Sequence, residues 1–186
     1  NISYNEYIKQ YWNEEVLEGI RNDFARPTVH ARNLLHSSIV MYDAWAAYDN
    51  SSSEHYLLGK TLHSYTCDFD SDNFVIPEDP ADVKLAQETA MSYAVYRLMK
   101  HRYGESPQAP STMSNIKARM MAMELDTNLV STDYLNDGPA ALGNYLAEQP
   151  TYEYDSSPTG SRCDFCNTYC QRSDLKEATI DDVPSE

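Results

Sequence analysis

The carboxylates of Asp68, Asp70, Asp72 and Asp79 fall at positions 1, 3, 5 and 12 of the ligand order of a calcium-binding loop. Asn73 stands at the turn position where glycine is usual, and Val75 at the apolar eighth position. Asparagine tolerates the left-handed backbone such a turn needs. Three features depart from the pattern: Asp79 replaces the bidentate Glu, Pro77 interrupts the loop, and no entering helix precedes Asp68. Tentative calcium ligation and a merely solvated acidic loop therefore compete here.

Cys67, Cys163, Cys166 and Cys170 carry the second possible chemistry. Three of them crowd a segment with little apolar content, where disulfides would supply the cross-linking a core does not. The Cys163-x2-Cys166-x3-Cys170 spacing is only half of a zinc pattern and has no nearby His, so disulfide bonding is the stronger expectation. Asn1-Ile2-Ser3 and Asn50-Ser51-Ser52 are N-glycosylation sequons at Asn1 and Asn50, though such triplets are common by chance.

Other reactive constellations are missing. The sequence has no Gly-x-Ser-x-Gly elbow and no Gly-x-Gly loop. His30 and His36 lie six apart, on nearly opposite sides of a helix, so they cannot form an i, i+4 ligand pair. Packed or hydrogen-bonded roles are expected of both, and no catalytic residue is assigned.

The elements that would position these groups read as an all-α fold of about five helices in one compact bundle-like domain. Apolar spacing predicts a first helix over 3–24, with Ser3 and Glu6 as a capping box, and a second from Thr28 to about Tyr48. In the second, Leu35, Ile39, Tyr42 and Trp45 are expected to pack inward against Trp12, Ile20, Ala90 and Ala94. Residues 54–79 read as a long ordered connection. Asp79-Pro80 then opens a third helix running to about Tyr103.

A fourth helix is expected from Thr112 to Glu124, capped by Ser111, with Met113, Ile116, Met120 and Met123 facing the core. A fifth follows Gly138-Pro139 and should stop before Pro150. Residues 1–149 thus form the helical domain, and 150–186 an irregular, Cys-rich tail.

With 14 Lys and Arg against 29 Asp and Glu, the net charge is −15, which repels nucleic acid and anionic lipid. No apolar run is long enough to span a bilayer. The chain opens at Asn1 without a basic-then-apolar leader, one reading of which is a removed secretion signal.

The order Arg26-Pro-Thr-Val-His-Ala-Arg-Asn-Leu-Leu-His36, running on through Met41-Tyr-Asp-Ala-Trp-Ala-Ala-Tyr-Asp49, resembles the N-terminal helical part of secreted vanadium-dependent haloperoxidase-like proteins, relatives of the type 2 phosphatidic acid phosphatases. Trp12-Asn13-Glu14, Ser92-Tyr-Ala-Val-Tyr-Arg-Leu98 and Pro139-Ala-Ala-Leu-Gly-Asn-Tyr145 extend the resemblance to roughly residues 8–149. It implies secretion, and a supporting role for Arg26, His30 and Arg32 beside a catalytic half.

In that family, vanadate or phosphate is held by a Lys and two Arg beside a Ser-Gly-His segment. In this chain Gly19 falls where that Lys would precede Arg26-Pro27, no Gly is followed by His, and Thr168 stands where a His should follow Ser161-Arg162. Two functions follow as expectations. One is a secreted structural or assembly module on this scaffold, without the catalytic half and open to self-association or a protein partner. The other is a fragment of a vanadium-dependent haloperoxidase or phosphatase whose vanadate site lies beyond residue 186.

Overall fold

A computed structural model of the chain describes residues 4–49, 53–62 and 65–155. Five helices make the fold all-α: α1 (Tyr4–Arg21), α2 (Pro27–Ala46), α3 (Pro80–Tyr103), α4 (Ala109–Ala122) and α5 (Gly138–Asp155). Between α2 and α3 a two-stranded antiparallel ribbon pairs β1 (Thr61–Leu62) with β2 (Tyr65–Thr66), Thr61 opposite Thr66. The capping box at Ser3, the sequons at Asn1 and Asn50, and the tail from residue 156 lie outside the described residues.

The third helix is the centre of the bundle. From Ala86 to Tyr96 all but Thr89 are buried, and the other helices pack around it. A helix buried on every side shows little amphipathic periodicity. Its start is as expected: Asp79 Oδ1 accepts from the Ala81 amide at 2.7 Å, and Pro80 occupies the first turn.

Each neighbour docks through a distinct feature. On α1, fully buried Trp12 donates from Nε1 to Ser92 Oγ of α3 at 3.0 Å. On α5, Gly143 lets the backbones approach so closely that a Cβ there would lie 2.4 Å from the Ala90 carbonyl oxygen and 2.8 Å from the Ala94 nitrogen. On α4, buried Ile116 and Met120, with half-buried Met113 and Met123, form the expected inward stripe. Arg119 of α4 pairs with Glu15 of α1 and lies 3.7 Å over the Tyr11 ring.

Two helix boundaries differ from expectation. The fourth helix starts at Ala109 with Pro110 in its first turn and no side-chain cap at Gln108, so Ser111, expected as the cap, lies inside it. It ends through Glu124, whose φ of 58° lets Leu125 donate to the Met120 carbonyl and Glu124 to that of Met121. That closure usually uses glycine. The fifth helix continues through Pro150 to Asp155, because a proline removes only one backbone donor from a helix already held along its length against α3.

The largest correction concerns α2. Its buried residues are Asn33, His36, Ser37, Ile39, Val40, Met41, Asp43, Ala44 and Ala46, four of the nine polar and the expected Ile39 among them. Leu34 and Leu35, each 38% exposed, and Tyr42, 42% exposed, face outward, and Trp45 is only half-buried. Apolar spacing misjudged part of this face because its inward polar groups, Asn33 Oδ1 apart, find partners. Ser37 bonds the Asn33 carbonyl at 2.5 Å, Asn33 reaches the Tyr103 hydroxyl, and Arg102 donates to His36 Nδ1 at 3.1 Å.

Candidate functional site

Asp43 is the most enclosed charged group, with no exposed surface. Its carboxylate accepts three consecutive amides, Tyr56 and Leu57 at 2.6 Å and Leu58 at 3.0 Å. A buried carboxylate needs such donors, and these three fix the start of the α2–α3 connection. Sequence reasoning passed over Asp43, although a lone acid amid Val40, Met41 and Ala44 is an anomaly that asks for a partner.

In the acidic loop two of the four carboxylates make local hydrogen bonds. Asp70 accepts from the Asn73 side-chain nitrogen at 2.9 Å and the Asn73 amide at 3.2 Å, which hold the pKa of its carboxyl below the usual value. Asp79 is spent on the cap of α3. Asp68 and Asp72 point to solvent. Among the described residues no three His, Cys, Asp or Glu side chains gather as a metal-binding group.

Cys67 is a free thiol, 1% exposed, and burial pushes its pKa up to about 12. Cys163, Cys166 and Cys170 lie outside the described residues.

Two of the stretches that carried the family resemblance, Ser92–Leu98 and Pro139–Tyr145, meet at the α4–α5 connection. Tyr93 donates its hydroxyl to the Asp126 carbonyl at 2.6 Å, and Arg97 reaches the Thr127 carbonyl at 3.2 Å as well as that of Leu129. Asn144 accepts from Arg97 Nε at 2.9 Å and donates to the Leu129 and Ser131 carbonyls. These bonds spend Arg97 and Asn144 on backbone. The open cleft beside them, about 260 Å³ between α3 and α5, is lined by Arg97, His101, Val130, Asn144, Ala147 and Glu148.

His30 and His36 stay apart, as their spacing requires. His30 Nε2 lies 2.8 Å from the Phe24 carbonyl, near the Arg26 amide, and so closes the α1–α2 turn. Arg26 pairs with Asp23 in the same turn. The outward stripe of α2 (Ala31, Leu34, Leu35, Ser38, Tyr42) is the surface feature these packed groups leave unexplained. Against known protein families, curated proteins and solved structures, the chain finds no match. Among the described residues no helix is long and apolar enough to cross a membrane.

Proposed function

We propose that the chain serves as a secreted helical structural or assembly module, built on a haloperoxidase-like N-terminal scaffold without that family's catalytic half. The observation that carries this reading is the outward stripe of α2, where Leu34, Leu35 and Tyr42 are exposed while Asn33, His36, Ser37 and Asp43 are buried beside Ile39, Val40, Met41 and Ala44. Apolar side chains aligned on one helix face are what a partner covers. In support, the polar residues of the family-like motifs are engaged in architecture: Ser92 receives Trp12, and Tyr93, Arg97 and Asn144 hold backbone carbonyls.

The same stripe favours a second reading, in which the chain is part of a longer vanadium-dependent haloperoxidase or phosphatase and the catalytic half covers α2. The two differ in what the isolated chain can do and in what the transcript encodes after Glu186. Purified chain supplied with vanadate, bromide and hydrogen peroxide should brominate an indicator phenol no faster than buffer. Vanadate-dependent turnover that persists through further purification would overturn the module reading. A transcript encoding Lys, Arg-Pro and Ser-Gly-His motifs downstream would establish the second.

A further inference from the structure

Arg97 of α3 is a half-buried cation whose partners among the described residues are all neutral. Its Nε donates to Asn144 Oδ1, its Nη2 donates to the Thr127 and Leu129 carbonyls, and it lies 5.5 Å from the centre of the Tyr96 ring. Nη1 is not among the bonded nitrogens, and no ion pair among the described residues involves Arg97. Its charge is fixed in place without being neutralised. Arg97 lines the open cleft between α3 and α5, whose volume of about 260 Å³ falls just below the about 300 Å³ at which ligand pockets begin. Val130, 68% exposed, and Ala147 give that cleft an apolar wall. Asn144 completes the lining with His101 and Glu148, which each have interactions of their own.

We propose that this cleft binds a small organic monocarboxylate, its charge held by Arg97 and its short apolar body lying along Val130 and Ala147. A guanidinium already held by neutral acceptors is preorganised for a carboxylate, which accepts charge-assisted hydrogen bonds about twice as strong as neutral ones. The chain's net charge of −15 disfavours anions at a distance, but at physiological salt a Debye length of about 8 Å leaves the groups lining the cleft to decide. Glu148 on the α5 wall disfavours a dianion through like-charge repulsion, which limits the ligand to a single negative charge. A cation would meet the same repulsion from Arg97. The apolar wall favours a ligand with hydrocarbon to bury. This site is separate from the outward α2 face, so it neither needs nor tests the assembly reading.

The probes are hexanoate, hexylammonium and inorganic phosphate, titrated into the full chain at constant ionic strength and followed by methyl nuclear magnetic resonance. Hexanoate should shift the Val130 and Ala147 methyl resonances along a saturating curve, with a Kd on the order of 1 mM for so small a ligand. Hexylammonium and phosphate should leave them in place. This readout uses the unmodified chain and depends on no variant folding. Val130→Asp adds a negative charge at an exposed position without touching the bonds of Arg97, and should weaken hexanoate about tenfold or more through like-charge juxtaposition. Arg97→Gln should weaken it at least as much. The proposal is overturned if hexanoate produces no saturable shift of these methyls, or if either variant binds it as the native chain does. It is equally overturned if hexylammonium shifts the same methyls as strongly, or if phosphate does so at lower concentration than hexanoate.

Discussion

At the scale of single residues, the groups with most at stake are buried and committed to structure. Asp43 holds three amides of the α2–α3 connection from a position closed to water. Asp43→Ala would leave those donors without their charged acceptor, a loss on the order of 3 kcal/mol, read as a lower urea midpoint. Asp43→Asn should fall between the two, since its amide keeps one acceptor oxygen. Cys67 offers a second test. Its thiol stays protonated in the folded chain to about 12, whereas the unfolded thiol ionises near its ordinary value of 9.0. Below pH 9.0 the thiol is neutral in both states; above it the unfolded chain loses the proton first, so stability falls as pH rises toward 12. Iodoacetamide at neutral pH should leave Cys67 unmodified in native protein and label it after denaturation, as peptide mass mapping would read.

At the scale of elements, the seam between α3 and α5 is set by Gly143 against Ala90 and Ala94. A methyl group there has no room, and Gly143→Ala should cost roughly 1–3 kcal/mol or more through forced separation of the helices. Thermal melting would detect it, and Gly138→Ala is the informative control. Gly138 has no neighbouring atom to clash with and is strained only by its φ of +73°. The fourth helix illustrates the opposite case, in which the sequence pattern of Ile116 and Met120 predicted the buried face directly. On α2 the pattern misled, because hydrogen bonds to Tyr103, Arg102 and the helix backbone made polar side chains acceptable inside.

At the scale of the whole molecule, the chain carries a net charge of −15 with few ion pairs among its described residues, most of them on the surface. Self-repulsion of like charges destabilises the compact state and is screened by salt. The melting temperature should therefore rise by several degrees between about 10 and 200 mM sodium chloride, where the Debye length falls from about 30 to about 8 Å. Sodium sulfate at matched ionic strength should add a further rise, separating burial effects from screening. No salt dependence would mean that the acidic groups are already neutralised within the fold.

Periodicity, caps and prolines in the sequence were sufficient to determine five helices, the Asp79-Pro80 start of α3, the inward stripe of α4 and the separation of His30 from His36. Those are local properties, written in neighbours three or four residues apart. Which face of α2 turns inward was decided only by tertiary structure, since partners for Asn33, His36 and Asp43 come from segments 13 to 70 residues away. The acidic loop follows the same logic. Its spacing reads as a metal-binding order, and only the three-dimensional path shows that Asp70 also holds a turn and Asp79 also caps a helix. A linear pattern fixes which groups are close in sequence; burial and competing hydrogen-bond donors decide which of them remain available to a ligand.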